Sequence, residues 1–282
     1  MRWLVTGSAG MLGTDLVAVL RERDEDVTAL TRADLDLQDL AAVAHAVEDH
    51  DVVVNCAAWT AVDDAEEQEG AALEVNAVVP DILARAVAES SGRLVQVSTD
   101  YVFDGAATTP YDEDATIAPA SAYGRTKAAG EEAVRAALPG RHYVVRTAWL
   151  YGAHGSCFPK TMARLVRERG SVSVVDDQVG QPTWTVDVAD LIVRLVQADA
   201  APGSYHATSS GQCSWFDLAR AVVASAGLDD AAVAPTDSSA FVRPAPRPAY
   251  SVLGHDALVR AGVAPIGHWR ERWTAAAAAV LA

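Results

Sequence analysis

Lysine is scarce in this chain. Only Lys127 and Lys160 occur among its 22 basic side chains; the rest are arginine. A compact ammonium and a planar guanidinium are not interchangeable, so two isolated lysines mark positions of interest. Cysteine is equally sparse. Cys56, Cys157 and Cys213 are isolated, odd in number and without metal-ligand spacing. That excludes a disulfide framework and a zinc site, and it fits a reducing, cytoplasmic compartment. Positive charge as a whole is outnumbered: 22 Lys+Arg face 38 Asp+Glu, a formal net charge of −16. Such a balance argues against non-specific binding to nucleic acid or to an anionic membrane. An anionic substrate would need a local cluster of cations opposing the global field. No apolar run is long enough to span a bilayer, and no secretory leader is expected, because a strand pattern starts at Arg2. The remaining composition, 50% hydrophobic and 21% charged, is that of an ordinary globular protein.

The first structured stretch is Trp3-Leu4-Val5, followed by glycines at positions 7, 10 and 13 and then by Leu12, Leu16, Val19 and Leu20 at helical spacing. Strand, glycine-rich turn and helix in that order form a dinucleotide-binding unit: small residues admit a pyrophosphate, and the helix N-terminus offers N–H donors. A second strand, Val27–Leu30, ends in Thr31-Arg32 rather than in the acid that binds a ribose 2′-hydroxyl. A hydroxyl and a guanidinium suit a 2′-phosphate, which favours NADP over NAD; the alternative is a solvated loop arginine. Asp36 is expected to cap the next helix, to contact the adenine, or both. Val52-Val53-Val54 is a continuous apolar strand of the kind found in a parallel sheet covered on both faces. Its end, Asn55-Cys56-Ala57-Ala58, is built of small residues that leave room for a cofactor. The acidic stretch Asp63–Glu69 is most simply a solvated helix face.

A fourth strand, Leu94–Val97, runs into the polar Ser98-Thr99-Asp100-Tyr101. Strand ends of this kind are where α/β sheets place their ligands. Beyond Pro119, Tyr123 and Lys127 stand four residues apart, which puts them on one face of a helix. A cation beside a phenol in a desolvated site can lower its pKa, and a shift of about 3 units requires roughly 4 kcal/mol. Gly124 and Gly130 each weaken that helix by ~1 kcal/mol, which implies close packing against it. Tyr143–Val145 is a fifth strand. The alternation then loosens: Phe158–Arg169, Val186–Val196 and Trp215–Ala226 read as helices, Ser204–Ala207 as a strand, and the proline-rich Phe241–Tyr250 as an irregular loop. The expected architecture is α/β, a doubly wound parallel sheet with a smaller mixed α/β C-terminal lobe. Residues 1–150 form the dinucleotide-binding part, with return segments near 184–208, and residues 151–282 are mainly the substrate lobe.

Taken together, these motifs resemble the extended short-chain dehydrogenase/reductase superfamily, a Rossmann fold. Within it the chain is similar to dTDP-4-dehydrorhamnose reductases over most of its length. The glycine and Tyr/Lys motifs specify the superfamily. Narrower runs are Asn55-x-Ala57-Ala58-x-Thr60-x-Val62-Asp63, Ser98-Thr99-Asp100-Tyr101-Val102-Phe103, Arg146-Thr147-x-Trp149, Phe158-x-Lys160-Thr161-Met162, Asp177-Gln178-x-Gly180-x-Pro182-Thr183 and Arg247-Pro248. The resemblance implies that Tyr123 protonates the C4 oxygen of the sugar as hydride arrives from NADPH, with NADH left open. It implies that Lys127 depresses the Tyr123 pKa and binds the nicotinamide ribose, and that Thr99 hydrogen-bonds the reacting carbonyl. Gly7, Gly10, Met11, Leu12, Gly13, Thr31, Arg32, Asp36, Leu37, Ala57, Ala58 and Thr60 would line the cofactor. Asp100, Tyr101 and Trp149 would surround the sugar, although Trp149 also reads as a core aromatic. Lys160 and Arg247 are the strongest candidates for a diphosphate, ahead of Arg164 and Arg243.

The related sugar-nucleotide dehydratases carry Thr-Asp-Glu where this chain has Thr99-Asp100-Tyr101. Without the second carboxyl group, reduction is favoured over dehydration. Two departures from the reductase pattern, Cys157 and Tyr250, fall in the substrate lobe and leave a sister deoxysugar reductase as an alternative product specificity. A non-catalytic NADP-binding regulatory subunit is a rival of another class; the intact Thr99, Tyr123 and Lys127 count against it. Some family members bind Mg2+ at a dimer interface. No metal ligand is assigned here, and a homodimer is left open.

Overall fold

The computed structural model describes residues 1–282. Six strands form the central sheet: β1 (Arg2–Thr6), β2 (Asp26–Leu30), β3 (Val52–Asn55), β4 (Arg93–Thr99), β5 (His142–Thr147) and β6 (Gly203–His206). Their order is β6-β5-β4-β3-β1-β2, and every pairing is parallel. The order reverses between β1 and its neighbours β2 and β3, so the crevice at their C-terminal ends is the place such a sheet offers a ligand.

Alternation along the strands builds two cores. Trp3 and Val5 of β1, Val52 and Val54 of β3, and Val95 of β4 point to one face. There they meet Leu16 and Leu20 of helix α1 (Met11–Glu22) and a later segment whose Val188, Ile192 and Leu195 share the same cluster. Leu4, Val53 and Leu94, one residue out of phase, point to the other face. They meet α2 (Leu40–Val47), α3 (Val79–Glu89) and α4 (Ala122–Ala137) through Val43, Leu83 and Val134. Burying each such side chain contributes about 1.5–3 kcal/mol, so both layers are needed to hold β1 and β3 side by side.

Beyond β5 come α5 (Phe158–Arg169), α6 (Thr185–Gln197), α7 (Trp215–Ser225) and α8 (Trp269–Leu281). Helix α6 is the segment that returns to pack against α1, and β6 then joins the sheet beside β5. Helices α5, α7 and α8 instead gather a separate core around Met162, Val166, Leu218, Val222 and Trp273. No helix is long and apolar enough to cross a membrane. All three cysteines are free thiols.

Two local expectations are corrected. Asp36 does not cap α2; Asp39 does, its carboxylate accepting from the N–H groups of Ala41 and Ala42. Asp36 accepts instead from the Gln38 N–H in the preceding turn. The acidic Asp63–Glu69 stretch is not simply a solvated face. Its Glu66 accepts from the Ala122 N–H at 2.8 Å and its Glu69 takes Arg125 in a two-pronged pair, so both hold the first turn of α4.

Candidate active site

At the end of β1, Gly7 adopts φ +66°, and a Cβ there would sit 2.5 Å from the Ala57 nitrogen that follows β3. Only glycine fits this turn. Helix α1 then begins behind Gly10, which offers no side-chain cap, so its first-turn N–H groups are available to an anion. A cavity of about 800 Å3 opens here. Gly7, Gly10, Thr31, Arg32, Asp36, Leu37, Ala57 and Ala58 line it, together with Cys56. Glycine cradle, uncapped helix start and location at the strand-order reversal all fit a dinucleotide. Below the cavity a buried polar row ties the strand ends together: Thr6 donates to Asn55 at 2.7 Å and Asn55 to Gln96 at 2.8 Å.

Met11, Leu12, Gly13 and Thr60, also expected around the cofactor, are not among the residues that line this cavity. Leu12 is a core side chain. A Cβ on Gly13 would lie 2.3 Å from the Gly7 carbonyl, so this glycine lets helix and turn close together. Met11 packs toward Gly152, and Thr60 is exposed outside the cavity lining. At the β2 end, Thr31 is already engaged: both its N–H and its hydroxyl donate to Asp34, at 2.9 and 2.6 Å. Arg32 is exposed and lines the cavity.

Helix α4 carries the candidate chemistry. Ser121 caps it, accepting from the Gly124 N–H. Tyr123 and Lys127 follow one turn apart, both buried. Gly124 and Gly130 bring the helix against backbone: a Cβ on either would sit within 2.2 Å of the Tyr101 or Asn76 carbonyl oxygen. Tyr101 meets Tyr123 edge-on, with ring centroids 5.5 Å apart. Burial is the largest influence on the Tyr123 phenol. The Lys127 ammonium donates to the Val97 carbonyl at 2.6 Å, and burial pushes the phenol up to about 12. The Thr99 hydroxyl pulls it down and an ionised Asp100 pushes it further up. Burial also brings Lys127 down to about 8, with Glu131 and Cys56 opposing.

Next to this pair Thr99 donates to Asp100 at 2.9 Å. Asp100 is buried, and its second carboxylate oxygen, Oδ2, has no hydrogen-bond partner. Across the sheet end, Trp149 adopts φ +47°, a left-handed conformation that costs a bulky residue of order 1–3 kcal/mol. Its indole stacks on Trp215 at 3.6 Å and 7°, and Phe158 packs on Trp215 at 4.5 Å. Arg247 donates to Asp63 at 2.9 Å and to the Ala245 carbonyl, with Arg243 at 3.8 Å from the same carboxylate. Lys160 donates to the carbonyls of Ala153 and Gly155, bracing the loop after Trp149. So Tyr123, Lys127, Thr99, Asp100 and Tyr101 converge, whereas Lys160 and Arg247 are both held by protein acceptors.

Residues 1–281 match a family model described as the RmlD substrate binding domain. The chain belongs to that family. A Streptomyces niveus protein named dTDP-4-keto-6-deoxy-D-glucose reductase is 52% identical to it over 98% of this chain and 96% of its own. A Streptomyces griseus protein named dTDP-4-dehydrorhamnose reductase is 50% identical over 97% and 92%. Among solved structures, a dTDP-4-dehydrorhamnose reductase from Bacillus anthracis in complex with NADP superposes with a TM-score of 0.93. It is 35% identical over 98% of both chains.

Several members of this RmlD-family site escape a reading of the sequence. Trp215 stacks on Trp149 but lies far along the chain, at the first turn of α7, where it looks like any amphipathic-helix aromatic. Asp34 sits four residues beyond Leu30, the strand end at which an acid is sought. The Asp63–Arg247 pair joins an acidic run to a proline-rich loop, and the only available signal was opposite charge.

Proposed function

We propose that this chain is an NADPH-dependent reductase of the C4 ketone of a dTDP-4-dehydro-6-deoxy sugar, with dTDP-4-dehydro-L-rhamnose as substrate and dTDP-L-rhamnose as product. The observation that carries the reading is the buried convergence of Tyr123, Lys127 and Thr99 at the C-terminal end of β4, on the same edge of the parallel sheet as the glycine-cradled cavity. Residues 1–150 with the returning 184–208 segment would hold the cofactor, and residues 151–282 mainly the sugar nucleotide. NADPH, when bound, supplies the hydride. Tyr123 supplies the proton. A reductase needs its phenol protonated at the start of each turnover, and burial, which raises this pKa to about 12, favours that form at neutrality. A nascent alkoxide is a stronger base than this phenolate, so transfer runs downhill. Thr99 would orient the carbonyl, and Lys127, mostly charged at neutrality, would hold the ribose. Tyr101 in place of a second carboxyl group leaves no acid pair for dehydration. The product test is NMR after incubation with dTDP-4-dehydro-L-rhamnose and NADPH; a C4 epimer or no reduction rejects it.

A sister-reductase reading is favoured by Cys157 and Tyr250. Cys157 is buried at the start of α5, and Tyr250 donates to Gln212 at 3.0 Å. It is also in keeping with the name of the Streptomyces niveus relative. The same NMR experiment separates the two by product stereochemistry.

Two binding predictions follow from the cations. Arg32→Ala is expected to raise the NADPH KM roughly five- to tenfold while the NADH KM moves less than about twofold, since an exposed guanidinium–phosphate contact is partly screened. Equal changes for both cofactors would remove the 2′-phosphate role. Arg247→Ala or Lys160→Ala is expected to weaken dTDP binding at least about tenfold with NADPH affinity unchanged, because a charge-assisted contact is worth roughly 1.5–3 kcal/mol. Calorimetry with each ligand decides; wild-type dTDP affinity in both variants places the diphosphate elsewhere.

A further inference from the structure

Trp149 is held in two arrangements that a tryptophan does not choose freely. Its backbone is left-handed, φ +47°, a region that a bulky residue occupies only where its surroundings impose it. Its indole lies on that of Trp215 with centroids 3.6 Å apart at 7°. Ring pairs prefer offset or edge-on contacts at roughly 4.5–7 Å. Both residues are only half-buried. Backbone strain of this kind collects at functional sites, where several contacts fix it at once.

Those contacts form two jaws. Val179–Gly180 pairs antiparallel with Cys213–Ser214, Gly180 opposite Cys213, and Trp215 follows directly. The pairing brings Gly180 and Trp215 against the same indole. A Cβ on Gly180 would stand 2.5 Å from Trp149 Cε2 and 2.6 Å from Cζ2, so a side chain there must displace the ring. Trp215 is backed by Phe158 at 4.5 Å. It opens α7, whose start is locked by a reciprocal cap between Ser214 and Asp217. The Trp149 carbonyl accepts from the Thr183 N–H at 3.2 Å. Thr147, two residues before Trp149, is the register partner of Thr99. The strained indole therefore leaves the sheet beside the strand end read as holding the carbonyl.

We propose that Trp215 and Gly180 are positioning residues that clamp the Trp149 indole as a preset wall of the sugar subsite. The inference deepens the reductase reading and rests on its placing of Trp149 beside the sugar. The clamp sets the ring before the sugar arrives. Without it the Trp149 backbone relaxes to an ordinary conformation, and only the fraction of molecules that regains the strained pose is competent to bind. A strain of about 1–3 kcal/mol corresponds to a loss of about 5- to 150-fold. That loss falls on the sugar, and dTDP without its sugar does not register it.

The test is calorimetry on the whole protein with dTDP-L-rhamnose, with dTDP and with NADPH. Trp215→Leu removes one jaw. Gly180→Ala overfills the other; the Gly180 backbone lies outside the left-handed region, so the added methyl acts through the ring. Each variant is expected to weaken dTDP-L-rhamnose binding by about 5- to 150-fold and dTDP binding by less than about twofold. NADPH affinity is expected to follow dTDP. Trp215→Phe keeps a flat ring and is expected to recover most of the loss. A residue that acts through another has no effect once its partner is gone. In a Trp149→Ala background, Trp215→Leu is therefore expected to add less than about twofold. Equal losses for dTDP and dTDP-L-rhamnose, or a full effect of Trp215→Leu without Trp149, would make the clamp a mere support of the lobe. Wild-type sugar affinity in a folded Gly180→Ala variant would overturn it as well, and that variant decides alone if Trp215→Leu does not fold. Failure of the reductase reading is distinguishable: the wild-type protein would then bind dTDP-L-rhamnose no more tightly than dTDP and would not oxidise NADPH with the keto sugar.

Discussion

Tyr123→Phe is expected to lower kcat for ketone reduction by about 10²–10⁴-fold, the usual cost of losing a positioned general acid. The change removes one oxygen and keeps the ring. Its edge-on contact with Tyr101 survives, and so does the helix cap by Ser121, which uses the Gly124 N–H rather than the tyrosine. The stability change is expected to stay within about 1.5 kcal/mol, because a single neutral hydrogen bond contributes about 0.5–1.5 kcal/mol on balance. Spectrophotometric NADPH oxidation together with a thermal melt reads both quantities. NADPH affinity, measured separately by calorimetry, is expected to remain at the wild-type value. Near-normal turnover in a folded Tyr123→Phe variant would assign proton donation to another group, and a collapsed melting curve with lost activity would make Tyr123 a core residue. Lys127→Met is expected to differ: it deletes an ammonium bonded to the Val97 carbonyl, so the NADPH KM should rise along with the fall in kcat.

The parts of the site legible in the sequence are those set by short-range spacing. Glycines 7, 10 and 13 follow an apolar triplet and precede a helical repeat, and all of that is settled within a dozen residues. Tyr123 and Lys127 share a face because any helix makes i and i+4 neighbours. The buried strands were visible because a parallel sheet covered on both sides needs apolar residues at every position, as in Val52–Val54. What the spacing could not carry is environment. Spacing puts an ammonium near a phenol, but it says nothing of burial, which raises the phenol's pKa and depends on how closely Gly124 and Gly130 let α4 approach Tyr101 and Asn76. Asp36 and Asp39 both suit a helix start, and only backbone geometry selects Asp39. Glu66 and Glu69 read as solvated because their partners, the Ala122 N–H and Arg125, lie on another helix.

Glu131→Ala is expected to destabilise the fold by about 3–5 kcal/mol, the largest single loss of any substitution considered for this chain, because it strands a buried cation. Arg146 and Glu131 have side chains 1% and 0% exposed. The guanidinium meets the carboxylate as a fork, Nε to Oε1 at 2.9 Å and Nη2 to Oε2 at 2.8 Å. Ser98 and Arg135 donate to the same two oxygens at 2.6 Å each. Glu131 lies one turn beyond Lys127 on α4, Arg146 is on β5 and Ser98 on β4, so the cluster bolts α4 to β5 and to β4, the strand whose end carries Thr99 and Asp100. Burial alone would raise the Glu131 carboxyl, but Arg146, Ser98 and Arg135 outweigh it and hold it below the ordinary range. Its folded-state pKa is thus depressed, so its stabilisation is present above the unfolded value and lost as pH falls through the folded one. Urea unfolding near pH 7 is expected to show the full gap between wild type and Glu131→Ala, and the gap should narrow on acidification. Replacing both partners, Glu131→Leu with Arg146→Met, is expected to recover most of the stability, since no buried charge is then left unpaired. Activity should recover less, because an apolar pair fills the space without fixing the direction of α4 over Thr99. Full recovery of both in the double variant would show that the ion pair fills volume and does not orient the helix.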